Sequence, residues 1–186
     1  MTPTVDSAAH DVPESVFPLE TQALLLDMDG TLIDSGPSVE RAWSTMLREF
    51  GSEADFGHTM HGRPARQVIG ELLPELDEEQ VAAAHARIEE LEIADATTIR
   101  TLPGTERLLA ELDAAAQQLG RSTWTIVTSC TRPLFEARWA TTGLPVPDGL
   151  VTADQVTDGK PDPEPYLLGA RRLDVDPVRA LVIEDS

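Results

Sequence analysis

The residues with the clearest chemical potential form the segment Asp27-Met28-Asp29-Gly30-Thr31, which directly follows the apolar run Ala23-Leu24-Leu25-Leu26. Two carboxylates this close in sequence repel each other unless a cation lies near both. At the end of a buried strand, such a pair favours a catalytic or metal-binding site. A solvated turn is the alternative, because Asp and Gly are common turn residues.

Three further polar segments lie where predicted strands end or between them. If these strands belong to one parallel sheet, the segments meet at the edge where such sheets bind ligands. Carboxylates bind Mg²⁺, a hydroxyl and backbone amides hold phosphate oxygens, and a lysine offsets charge, so the set suits a hard divalent cation with a phosphoryl group. The segments are Thr128-Ser129-Cys130, Gly159-Lys160-Pro161-Asp162-Pro163 and Glu184-Asp185-Ser186.

Each of these residues also has a structural interpretation. Lys160 could be a solvated loop lysine, and Glu184-Asp185 a frayed acidic tail. Thr128 could be an ordinary β-branched strand residue, with Ser129 supplying the hydroxyl. Cys130 has no histidine near it in sequence, which does not favour a thiol nucleophile.

The elements that must position these residues alternate between strand and helix in the second half of the chain. Such alternation predicts right-handed βαβ crossovers and a parallel sheet, so the fold class is α/β. The predicted strands are 22–27, 123–128, 149–152 and 180–183, and the helices between them are 103–119, 133–142 and 163–173.

The middle of the chain has helical patterns only. Apolar residues recur at helical spacing from Val39 to Phe50, and further helices are predicted at 64–73 and 78–93, the last capped by Asp77. This stretch therefore resembles an insert after the first strand. The predicted division is a flexible segment 1–18, a core of 19–33 and 103–186, and a helical insert 34–102.

Composition limits the possible partners. The chain has 186 residues, 41% of them hydrophobic, and a net charge of −19. This charge argues against nucleic acid or an anionic membrane as partner, and an anionic substrate would need a metal ion or a local basic group. The single cysteine permits no intramolecular disulfide, and no secretory signal or membrane-length apolar run is present, so a cytoplasmic location is expected.

The four polar segments resemble the four motifs of the haloacid dehalogenase-like hydrolase superfamily, in their usual order. In this sequence the motifs are D-M-D-G-T, V-T-S, G-K-P-D-P-E-P-Y and V-I-E-D-S. The position of the insert is similar to that of subfamily I members, which have a Rossmann-like core and a helical cap. Within that group, His61-Gly62-Arg63 and Leu91-Glu92 look like those of small sugar-phosphate and glycerol-phosphate phosphatases.

The resemblance implies a role for each matching residue. Asp27 would be the nucleophile that forms an aspartyl-phosphate, and Asp29 the general acid and base. Lys160 would neutralise the charge of carboxylate and phosphate. Thr128, Ser129 and Lys160 would bind phosphate. Mg²⁺ would be held by Asp27, Glu184, Asp185 and the backbone carbonyl of Asp29. His61, Gly62 and Arg63 would lie on the substrate side of the cap, with a cap-surface turn as the alternative for His61 and Arg63.

The function implied is that of a Mg²⁺-dependent phosphatase acting on a small phosphorylated sugar or polyol. Haloacid dehalogenases do not need the second acidic residue, so Asp29 argues against them. A β-phosphoglucomutase-like mutase shares the motifs and is an alternative. Family members usually continue beyond the fourth motif by a unit of about 30 residues, so the last strand and helix of the core are expected to be missing. A catalytically impaired fragment that acts only as a folded module is therefore a further alternative, and no particular oligomeric state is predicted.

Overall fold

The chain folds around a short parallel sheet with helices on both of its faces. A computed structural model describes residues 20–57, 60 and 62–185. In chain order the strands are β1 (Ala23–Leu26), β2 (Ile33–Asp34), β3 (Arg100–Thr101), β4 (Trp124–Ile126) and β5 (Ala180–Ile183), and the α-helices are α1 (Gly36–Glu49), α2 (Ala65–Leu72), α3 (Glu78–Asp95), α4 (Thr105–Leu119), α5 (Arg132–Trp139) and α6 (Glu164–Arg172).

Strand β1 lies in the centre of the sheet, between β4 and β5, and both pairings are parallel. Successive side chains of a strand point to opposite faces, and the core divides accordingly. Leu26 packs in one cluster with residues of α4 and α5, whereas Leu25 packs in another with residues of α6. The predicted α/β fold with a parallel sheet is therefore confirmed.

Helices α1, α2 and α3 share a hydrophobic cluster of their own. Trp43 and Met46 of α1 pack there with Ile69 of α2 and Ile88 of α3. Trp43 also stacks on Phe56, with 4.6 Å between the ring centroids. Within the described residues, no helix has both the length and the apolar character that crossing a bilayer requires.

Two local expectations are wrong. The predicted helical insert 34–102 is not purely helical, because β3 pairs with β2 in an antiparallel ladder that brackets the three helices. The predicted strand 149–152 is only a single bridge between Val127 and Val151. Gly149, at a φ of 74°, ends a turn just before it, and a 3₁₀ turn begins at Ala153 just after it, so the extended segment is too short for a strand.

Candidate active site

The site forms at the carboxyl edge of the sheet. Asp27 directly follows β1, and Glu184 directly follows β5. Because these strands are parallel neighbours, their ends meet, and the Asp27 N–H donates to the Ile183 carbonyl at 2.9 Å. Lys160 approaches the same point from the loop before α6. The structure thus brings together residues that are up to 158 positions apart in sequence: Asp27, Lys160, Glu184 and Asp185.

Asp27 is a buried carboxylate that contacts the cationic side chain of Lys160. Its residue is 7% exposed, and the Lys160 Nζ donates to its Oδ1 at 2.6 Å. Burial raises the pKa of Asp27 to about 6, although Lys160 lowers it and Glu184 and Asp29 raise it further. The carboxylate is thus weakly solvated and depends on nearby positive charge to be ionised.

The Lys160 loop is held by contacts with the start of α6. The Glu164 carboxylate accepts hydrogen bonds from the backbone N–H of Thr157 and from that of Asp158. Lys160 reaches Glu184 Oε1 at 2.6 Å as well as Asp27. Tyr166, the last residue of the third motif, had no predicted role. Its hydroxyl donates to Glu184, and its ring centroid lies 5.6 Å from the lysine Nζ.

Three carboxylates form a group that could hold a cation. One oxygen from each of Asp27, Glu184 and Asp185 lies within 4.8 Å of the other two. Gly30 lets this group form, because a Cβ at that position would lie 2.1 Å from Asp185 Oδ2. A donor set made only of carboxylate oxygens fits Mg²⁺, which prefers hard oxygen ligands.

The side chain of Asp29 lies apart from this group and contacts α5. Arg138 Nη1 donates to Asp29 Oδ1 at 2.8 Å, and the Cys130 thiol donates to Oδ2 at 3.1 Å. Arg138 also forms an ion pair with Glu92 of α3 at 3.2 Å. Burial raises the pKa of Glu92 to about 7, with Arg138 lowering it and Asp29 raising it.

Arg138 had no predicted role, and Glu92 was predicted only as part of the Leu91-Glu92 pair. A signal for Glu92 was present, because it follows the buried residues Ala84 and Ile88 at helical spacing on one face of α3. Arg138 likewise lies on the buried face of α5, four positions after Leu134. A charged residue on an apolar helix stripe indicates a buried ionic partner.

Thr128 and Ser129 differ in exposure. Thr128 is 3% exposed, and its Oγ1 accepts a hydrogen bond from the Cys130 N–H at 3.1 Å. Ser129 is exposed. The structure therefore places the threonine hydroxyl inside the turn after β4 and the serine hydroxyl at its surface.

The residues predicted on the substrate side of the cap are not all described. His61 lies outside the described residues. Gly62 adopts a φ of 74°, and the ion-pair partner of Arg63 among the described residues is Glu71 of α2. The structure thus pairs Arg63 with its own helical region, and not with the acidic group.

A family model and the sequences of known proteins indicate the same class of enzyme. A family model for haloacid dehalogenase-like hydrolases matches residues 21–186. The chain is 38% identical to hexitol phosphatase A of Escherichia coli over 169 residues, which are 90% of this chain and 76% of that protein. It is 35% identical to validoxylamine A 7'-phosphate phosphatase of Streptomyces hygroscopicus subsp. limoneus, over 87% of this chain and 76% of that one.

A solved structure has a similar fold. CbbY of Rhodobacter sphaeroides, solved in complex with xylulose-(1,5)-bisphosphate, superposes with a TM-score of 0.73 at 26% identity. The match covers 89% of this chain and 78% of that one.

Proposed function

Because the chain belongs to the haloacid dehalogenase-like hydrolase family, we propose that it is a Mg²⁺-dependent phosphatase for a small phosphorylated sugar or polyol. The observation that carries the proposal is the buried Asp27 carboxylate, with Lys160 at 2.6 Å and the acidic group beside it. The phosphatase names of the two curated relatives support hydrolysis of a phosphoric monoester and do not favour the mutase alternative.

In the proposed first step, an Asp27 oxygen attacks phosphorus and the bond between phosphorus and the substrate oxygen breaks. Asp29 gives its proton to the departing oxygen, so an alcohol leaves and an aspartyl-phosphate remains. In the second step Asp29 takes a proton from water as that water attacks phosphorus. The bond between phosphorus and the Asp27 oxygen breaks, inorganic phosphate leaves, and Asp27 is a free carboxylate again.

The positive charge that this attack requires would come from Lys160 and from a bound Mg²⁺ ion. Two anions do not approach each other in a buried site unless their charge is offset. Lys160 offsets the charge of both Asp27 and Glu184, because its Nζ lies 2.6 Å from a carboxylate oxygen of each. The residues that would hold Mg²⁺ are Asp27, Glu184, Asp185 and the backbone carbonyl of Asp29. When bound, Mg²⁺ supplies further positive charge for the phosphoryl oxygens.

Phosphate would be held at the ends of β1 and β4. We assign the phosphoryl contacts to Thr128, Ser129 and Lys160, which follow from the motifs and lie on this edge of the sheet. We also propose that residues 34–102 are a cap over a core of 19–33 and 103–186, with His61, Gly62 and Arg63 on the substrate side. The separate hydrophobic cluster of α1, α2 and α3 supports this division.

A phosphate-release panel tests the proposal. The purified chain is incubated with hexitol, glycerol and other sugar phosphates, with Mg²⁺ and after exhaustive chelation. We expect release from at least one substrate that disappears on chelation and returns when Mg²⁺ is added. Full activity after chelation would exclude the metal mechanism, and activity on none of the substrates would exclude a small sugar or polyol phosphate.

A further inference from the structure

Arg138 connects the loop after β1 with a helix from the middle of the chain. Its side chain is 4% exposed. Nη1 lies 2.8 Å from Asp29 Oδ1, and Nη2 lies 3.2 Å from Glu92 Oε2 on α3. A single guanidinium group therefore lies between two carboxylates that belong to different parts of the fold.

Both oxygens of the Asp29 carboxylate have a donor. Arg138 binds Oδ1, and the thiol of Cys130 binds Oδ2 at 3.1 Å. Arg138 Nη1 also lies 3.2 Å from the Cys130 sulfur, so the guanidinium and the thiol contact each other as well as the carboxylate. Two donors on two oxygens fix the plane of a carboxylate that would otherwise rotate about its bond to Cβ.

This arrangement is a costly way to gain stability. Desolvating an ion pair often offsets its Coulomb attraction, so a buried salt bridge is weak grounds for a stabilising role. Arg138 Nε also has no hydrogen-bond partner among the described residues. The geometry of the network is better explained by orientation of Asp29 than by stability.

We propose that Arg138 is a positioning residue that holds the Asp29 carboxylate in the orientation for protonating the leaving group, and that Glu92 anchors Arg138 from α3. The inference rests on the proposed function, in which Asp29 is the general acid. It gives α3 a role in the chemistry, because the anchor of the acid comes from this helix and not from the sheet.

The test separates leaving groups. For the parent, Arg138→Met and Glu92→Gln, kcat/KM is measured with the best alkyl phosphate of the panel and with 4-nitrophenyl phosphate. The aryl oxygen leaves without needing a proton, whereas the alkyl oxygen needs one, and general acid catalysis contributes roughly 10²–10⁴-fold. We expect Arg138→Met to lose at least about tenfold more on the alkyl than on the aryl substrate. Glu92→Gln should shift the ratio in the same direction.

Controls distinguish position from folding. Arg107 lies on α4 with 85% of its side chain exposed, so Arg107→Gln should match the parent on both substrates. Circular dichroism monitors the fold, and if Arg138→Met is unfolded, Glu92→Gln decides. Equal losses on the two substrates in folded variants would overturn the inference. A parent that releases phosphate from neither substrate would overturn the proposed function itself.

Discussion

At the scale of single residues, the site depends on how burial and charge are balanced around Asp27. The carboxylate is almost completely buried, and this burial raises its pKa to about 6. Lys160 provides the compensating charge at 2.6 Å. The ionisation of Asp27, the proposed nucleophile, therefore depends on the positive charge around it.

Replacing Asp27 by Asn tests the proposed nucleophile. An amide cannot form the phosphoryl ester, so we expect kcat/KM to fall by at least about 10³-fold, as removal of other enzyme nucleophiles does. Steady-state phosphate release measures this, with circular dichroism to monitor the fold. Asp174→Asn is the matched control, because Asp174 is exposed and its positive φ of 55° is tolerated by Asn. Activity above a few per cent of the parent in Asp27→Asn would contradict the assignment.

Gly30 tests the acidic group without removing a carboxylate. In Gly30→Ala the new Cβ would displace Asp185 Oδ2, from which it would lie only 2.1 Å away. A misplacement of about 1 Å can cost roughly 10²-fold in rate. We therefore expect kcat/KM to fall by roughly 10²-fold, and the apparent affinity for Mg²⁺ to fall as well.

Gly51 provides the control for Gly30. It has a similar φ of 72°, but a Cβ there meets nothing within 4 Å. Because its backbone strain is similar, Gly51→Ala should lose as much free energy of unfolding in urea as Gly30→Ala does. Its activity should be unchanged. Equal activities of the two variants would mean that Asp185 does not belong to the site.

At the scale of elements, α3 contributes to the stability of the fold and, through Glu92, to the network around Asp29. The helix starts at a capping box, in which the Gln80 N–H donates to Asp77 Oδ1 at 2.9 Å and the Asp77 N–H donates to the Gln80 side chain. Its buried face carries Ala84, Ile88 and Glu92 in succession. The same helix thus has an ordinary start and an unusual charged position near its end.

The start of α3 should respond to the loss of its cap. We expect Asp77→Ala to lower the free energy of unfolding by about 1 kcal/mol, because the first turn loses an acceptor for its free N–H groups. Asp77→Asn should be nearly neutral, since Asn caps helices as well as Asp does. Urea unfolding of the three proteins measures both values, and equal stability of the alanine variant would show that the box adds nothing.

Glu92 should make stability depend on pH. Its pKa in the folded chain is about 7, above the usual value of 4.5, so the stability gained from its proton is fully present below pH 4.5 and is lost as pH rises through 7. Glu92→Gln cannot show this loss. Relative to the parent, the variant should therefore gain up to about 3 kcal/mol in free energy of unfolding as the pH is raised. Urea unfolding at several pH values measures the difference, and a parent that gains stability relative to the variant over this range would contradict the shift.

How well the sequence predicts an element depends on the length of that element. Long periodic helices such as α3, with its Asp77 cap, were predictable because cap and apolar stripe are local signals. The two-residue strands β2 and β3 were not, since a pair this short has no period. The motifs anticipated that Asp27, Lys160 and Glu184 meet. The ion pair between Asp29 and Arg138 was not anticipated, because Arg138 lies outside the motifs and reaches Asp29 only through tertiary packing.

At the scale of the whole molecule, the net charge of −19 should lower the stability of the folded chain, and salt should reduce this effect. Like charges repel across the folded chain, and the Debye length falls from about 30 Å at 0.01 M to about 8 Å at 0.15 M salt. We expect the thermal midpoint to rise over this range of KCl. Calorimetry at about pH 5, where carboxylates begin to be protonated, should show a smaller rise. A midpoint that falls with salt at neutral pH would mean that attractive ion pairs outweigh the repulsion.

The β2–β3 ladder has a consequence for how such a molecule can be altered. Ile33 pairs with Thr101, and Leu32 accepts backbone and side-chain hydrogen bonds from Leu102 and Thr105, so the two junctions of the helical stretch lie side by side. The entropy of closing a longer segment between fixed ends rises only slowly with its length. The helical stretch can therefore be exchanged for a segment of different size while the junctions and the sheet edge stay in place. If residues 34–102 contact the substrate, as we propose, replacing this segment would change specificity while the residues at the sheet edge stay in place.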